Sequence, residues 1–178
     1  MKRELTLTDI AAYLPYGLMA VYSDNRSKFI RFNVGTSRKG DRYSICISDN
    51  ELMPILRPMS DLTKEIAHRG DKFVPMVEIG KMLGHRNLER YEHDGQVEYG
   101  WEVRYADDSQ GYSFGWHDKT KSFGVWMDEI DQCAPYEINT MNCDVFDKLA
   151  EWLFDYRGLI PAGIAVDVNT LDKNPYEV

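Results

Sequence analysis

The chain has 178 residues, 29 of them acidic and 21 basic, giving a net charge of −8. Its 43% hydrophobic and 12% aromatic content excludes a disordered chain, and its acidity argues against a general role on nucleic-acid backbones or anionic membranes. At this length one domain buries roughly 70% of its unfolded surface and needs no disulfide or metal to hold it.

The N-terminus, MKRELTLTDIAAYL, reaches acidic residues too early for a signal peptide. Thr6 and Asp9 have the spacing of a capping box, and Ile10, Ala11 and Leu14 form a short helical face that Pro15 and Gly17 close. The uncharged run 10–23 is interrupted by the same two residues and cannot span a bilayer. Cys46, Cys133 and Cys143 are odd in number and contain no C-x-x-C. That usage fits a reducing compartment, so a cytoplasmic location is expected.

Three strand-like runs follow, at 18–23, 28–34 and 42–48, linked by the turn residues SDNR and GTSRKGD. They predict an antiparallel meander. The first fifty residues carry +3 and the remainder −11. Arg26, Lys28, Arg38, Lys39 and Arg42 fall at or near the meander's turns, either as solvated loop charges or as a patch for a small anion such as a nucleotide.

The two prolines of LMPILRPM (52–59) predict irregular chain. Ser60 is placed to cap a helix of about two turns carrying Leu62 and Ile66, ending at His68, Arg69 and Gly70. Pro75 opens the next helix, with Met76, Ile79 and Leu83 as its apolar face and Gly84 beyond it.

The segment 97–127 alternates in strict twos. Val97, Tyr99, Trp101, Val103 and Tyr105 are followed by Tyr112, Phe114 and Trp116, then by Phe123, Val125 and Met127. A second three-stranded meander is predicted. In NCDVFDKLAEWLFDYRGLIP, Val145, Leu149, Trp152 and Tyr156 make a helical stripe over 143–157. Asn142 caps its start, and Gly158 and Pro161 end it. Residues 162–168 read as a last short strand, and the tail from Asp172 as frayed.

Gly111, Ser113 and Gly115 spell G-x-S-x-G, with His117 nearby. A nucleophile elbow needs a strained strand-to-helix turn. Ser113 instead falls mid-strand with another strand after it, so the match carries no catalysis. The face shared by Gly111, Ser113, Gly115 and His117 is small, and Trp126 shares its parity on the next strand. Such a floor suits a planar ligand or a partner protein, and equally a Trp covering a cross-strand glycine or the seat for the C-terminal helix. Trp101 is added to Trp126, Ser113 and His117 as a candidate contact.

On a helix, His85, Glu89 and Glu92 or His93 would offer metal ligands; the flanking Gly84 and Gly95 favour a solvated connector, and no metal is assigned. Cys143 at a helix start could hold a thiolate, but no His or Asn stands near it in sequence. Gly35 and Gly40 have P-loop spacing but lack the Lys and Ser/Thr that must follow. No cofactor is assigned.

Four stretches, LTDIAAYLPYGL (7–18), PILRPMSDLTKEI (54–66), KFVPMVEI (72–79) and EWLFDYRGLIPAGIAVDVNTL (151–171), resemble small uncharacterised proteins encoded by phages and integrated mobile elements of gut anaerobic bacteria. The resemblance implies a cytoplasmic accessory protein and brings no catalytic residues.

The expectation is an α+β fold forming one domain over 1–178, with sub-structure at 1–84 and 85–178. It consists of two three-stranded meanders, short helices between them, and a C-terminal amphipathic helix packed on sheet. The expected function is non-catalytic, by binding a host or phage protein. Sequestration of an anionic ligand is the first alternative, and a small hydrolase or metal-dependent enzyme the second. Neither membrane nor nucleic acid is an expected partner, and a homo-oligomer stays open.

Overall fold

The computed structural model describes residues 3–24, 26–32, 52–84, 88–93, 96–104, 109–117, 122–127 and 143–177. The Asp9 carboxylate accepts hydrogen bonds from the N–H of Thr6 at 2.9 Å and its hydroxyl at 2.7 Å, the reciprocal cap of α1 (Leu7–Ile10). The chain then tightens into a 3-10 helix, Ala11–Tyr16, that contains Pro15. Gly17 at φ 81° stops it, as its lack of Cβ allows.

Beyond Gly17, β1 (Met19–Tyr22) pairs antiparallel with β2 (Phe29–Arg31), Ala20 opposite Ile30. The expected third strand, 42–48, lies outside the described residues. The other neighbour of β1 is β3 (Leu52–Leu56), Ala20 opposite Pro54, where irregular chain was expected. Pro54 is tolerated because the last strand of the chain, β10 (Val166–Asp167), joins β3 only at Ile55 and Leu56. Among the described residues that side of β3 has no ladder at Pro54 calling for an N–H. The resulting mixed sheet has the order β10-β3-β1-β2.

The helix expected after Ser60 is absent. A 3-10 turn (Met59–Asp61) leads to β4 (Ile66–His68) and β5 (Asp71–Phe73), a two-stranded sheet. Arg69 (φ 52°) and Gly70 (φ 87°) connect them, and two consecutive positive φ values are what a primed hairpin turn demands. The helix after Pro75 forms as its pattern predicts: α2 (Pro75–Met82), with Met76 and Ile79 buried.

Four consecutive strands follow, each antiparallel to the next: β6 (Glu89–His93), β7 (Gln96–Arg104), β8 (Ser109–His117) and β9 (Ser122–Met127). The helix α3 (Cys143–Glu151) is shorter than the 143–157 its apolar stripe predicts. It ends in a Schellman motif, Phe154 N–H bonding to Leu149 O at 2.8 Å and Leu153 N–H to Ala150 O at 3.1 Å. The left-handed position is Leu153, φ 63°, with no glycine there to mark it in the sequence. A left-handed leucine costs about 1–2 kcal/mol. Two backbone hydrogen bonds offset this, as Arg57 N–H donates to Leu153 O and Asp155 N–H to Arg57 O, both at 2.8 Å.

By compactness the chain divides into two units, one of Met1–Met59, His68–Gly70 and Phe146–Val178, the other of Ser60–Ala67 and Asp71–Val145. The first has a continuous core that includes Ile10, Tyr13, Leu18, Val21, Ile55, Leu56, Leu153 and Leu159, all fully buried. In the second, Leu62, Ile66, Met76, Ile79 and Val145 are buried. Among the described residues no helix is long and apolar enough to cross a membrane.

Candidate binding sheet and buried polar anchors

In an antiparallel ladder, residues directly opposite share a face and successive residues alternate. Gly100, Ser113 and Trp126 therefore lie in one row on one face of the β6–β9 sheet. Gly111 opposite Glu102, and Gly115 opposite Gly124, flank that row, and His117 stands opposite Ser122 at its end. Among the described residues Trp126 thus occupies an edge strand, opposite Ser113, with Gly111 and Gly115 diagonal to it and Gly124 two positions before it.

Trp101 does not join it. Its register partner is Tyr112, which puts it on the other face with Val97, Tyr99, Phe114, Trp116, Phe123 and Val125. The four candidates therefore separate, three on the small, polar face and Trp101 on the aromatic one. Parity along each strand is legible in sequence, but the register that aligns one strand with the next is not.

Ser113 sits at the centre of β8, followed by the strand β9, with no helix at its shoulder. His117 shares its face four residues on, roughly 13 Å away at the strand rise. That spacing is too long for a nucleophile and its base.

Of the anion-patch candidates, Arg26 and Lys28 are exposed between β1 and β2, while Arg38, Lys39 and Arg42 lie outside the described residues. His85 also lies outside them. Glu89–His93 is strand, so Glu89 and His93 are roughly 13 Å apart along one face and do not share a helical side. Among the described residues no group of three or more His, Cys, Asp or Glu is placed to hold a metal ion. Cys143 is the first residue of α3.

The first unit contains a set of buried polar anchors not foreseen in the sequence. Tyr13, fully buried, donates its hydroxyl to Phe154 O at 3.0 Å. Tyr176, in the tail expected to fray, is 6% exposed; it donates to Ile55 O at 2.8 Å and accepts from Met19 N–H at 3.0 Å. Burial pushes both phenols well above the ordinary tyrosine range. The buried Asp155 accepts from Leu159 N–H and Ile160 N–H, each at 2.7 Å, and so organises the turn through Gly158. The Arg57 guanidinium lies over the Tyr176 ring at 5.9 Å. Each of these contacts ends on backbone or on a ring of the chain itself, which is the chemistry of a stitched core.

No protein-family model matches this chain, and no curated protein or solved structure matches it either.

Proposed function

We propose that this protein acts by binding another protein, as an accessory factor of a phage or integrated mobile element, and that the contact is made on the Trp126 face of the β6–β9 sheet. What supports this reading is the placement of Trp126 opposite Ser113, with Gly111, Gly115 and Gly124 at the neighbouring positions on the same face. A tryptophan beside glycines leaves room for a flat surface to approach, and tryptophan is the residue type that most often anchors interfaces. Ser113 and His117 then border the contact as hydrogen-bonding groups.

The test is capture from host cells carrying the element, using the wild-type chain and Trp126→Ala. The reading expects a defined protein retained by the wild type and lost with Trp126→Ala, the far-UV spectrum being unchanged. Retention of the same protein by the variant refutes it. The second reading, capture of a small anion, draws on the exposed Arg26 and Lys28. Titration with a nucleotide against an Arg26→Ala/Lys28→Ala variant separates it from the first.

A further inference from the structure

The two edges of the β6–β9 sheet differ in kind. An edge strand presents a row of N–H and C=O groups that its own sheet does not satisfy, and proteins commonly guard such rows with charge or proline. β6 is guarded: its sequence is Glu-Arg-Tyr-Glu-His, Glu89, Arg90 and Glu92 are exposed, and Arg90 pairs with Glu92 at 3.2 Å. β9, at the opposite edge of this sheet among the described residues, reads Ser-Phe-Gly-Val-Trp-Met, with no charge and no proline. Phe, Val and Trp are among the strongest strand formers, and an uncharged six-residue run of this kind is the signature of strand addition.

We propose that β9 pairs antiparallel with β9 of a second copy of this chain, joining two four-stranded sheets edge to edge. This goes beyond the partner-binding reading and does not depend on it. Like pairs with like here because β9 adds no like charge across the seam, which a chain of net charge −8 would otherwise bring to most self-contacts. An antiparallel pairing of a strand with itself is also two-fold symmetric, so it closes as a dimer.

Parity fixes the register. Faces stay continuous across the seam only if paired residue numbers sum to an even value. Two-fold axes at Gly124 and at Val125 both meet this condition with five residues of β9 paired, and the axis at Val125 is the one that brings a strand glycine opposite Trp126. It sets Val125 opposite Val125, Phe123 opposite Met127, and Gly124 opposite Trp126. The last pair is an aromatic residue facing a strand glycine, an arrangement that stabilises glycine-containing edges.

Sedimentation of the full-length chain over a concentration series, with no partner present, is expected to show a reversible monomer–dimer equilibrium. Gly124→Lys puts a charge on the seam and is expected to weaken self-association at least about tenfold while leaving the far-UV spectrum intact. If that variant misfolds, Trp126→Lys, which faces Gly124 in the same seam, serves instead. Val125→Cys is expected to cross-link to itself under mild oxidation beyond the background of the wild-type cysteines. A wild type that stays monomeric throughout, or a folded lysine variant that dimerises like the wild type, overturns the proposal. Trp126 also lies in this seam, so Trp126→Ala is sedimented as well, and capture lost while the dimer persists bears on the function proposed above alone.

Discussion

The hydroxyl of Tyr176 reaches back 121 positions to donate to the carbonyl of Ile55 at 2.8 Å, and the same oxygen accepts the amide of Met19 at 3.0 Å. One phenol therefore ties the start of β1, the middle of β3 and the last stretch of the chain into one assembly. Replacing it with phenylalanine keeps the ring and strands the buried Ile55 carbonyl and the half-buried Met19 amide. Tyr176→Phe is expected to lower unfolding stability by about 2 kcal/mol, and Tyr176→Ala by about 4 kcal/mol as the packed ring is lost too. Urea titration followed by tryptophan fluorescence measures both.

Tyr13 and Tyr176 are held neutral chiefly by burial, which raises both phenols above the ordinary value of 10.0. A phenol raised in the folded state contributes stability that is complete below the unfolded value and is lost as pH climbs past it. Unfolding is therefore expected above pH 10, with phenolate absorbance and loss of circular dichroism appearing together. Tyr13→Phe is expected to move that alkaline midpoint upward, even though it gives up the hydrogen bond to Phe154 at neutral pH.

Asp9 behaves in the opposite sense. Burial acts to raise its carboxyl, but the hydrogen bonds from Thr6, with Arg3 beside it, outweigh that and hold it below the ordinary 3.8. A depressed carboxyl contributes stability that is present above the unfolded value and disappears as pH falls through the folded one. Asp9→Asn is expected to be less stable than wild type at neutral pH, with the difference narrowing below pH 3.8. Thermal melts across the acid range test this.

Gly80 lies in α2, and a Cβ built on it would stand 2.1 Å from Cδ1 of Leu88. Alanine is the better helix former by about 1 kcal/mol, but displacing a packed leucine costs about 1–3 kcal/mol. Gly80→Ala is expected to destabilise by about 1 kcal/mol net. In a double-mutant cycle, Leu88→Ala should cost less in the Gly80→Ala background than in the wild type.

Local chemistry made some of this fold legible and hid the rest. The Thr6–Asp9 cap, the stop at Gly17 and the helix opened by Pro75 were readable because each depends on residues within one turn of chain. β3 was not, because the proline that argues against a strand is tolerated by the short reach of β10, more than a hundred residues later. The hairpin at Arg69–Gly70 was hidden by helical spacing at Leu62 and Ile66, which a turn overrode. The early end of α3 was invisible for a similar reason. Leucine at the left-handed position gives no local signal, and the contacts that hold it come from Arg57. The candidate face was half readable. Alternation predicted that Ser113, His117 and Trp126 share a parity, but only the register of β7 on β8 sets Trp101 apart from them.

The first compact unit is assembled from residues up to Met59, from His68–Gly70 and from Phe146 onward, with all of the second unit encoded between Met59 and Phe146. During synthesis at roughly 5–20 residues per second, β1 and β3 leave the ribosome several seconds before β10 exists to flank them. The second unit can fold in that interval; the first must wait, its half-built core open, until Phe146–Tyr176 has been made. That order predicts a window in which the nascent chain needs shelter from a chaperone, and it makes the late segment from Phe146 to Tyr176 the step that commits the molecule to its final form.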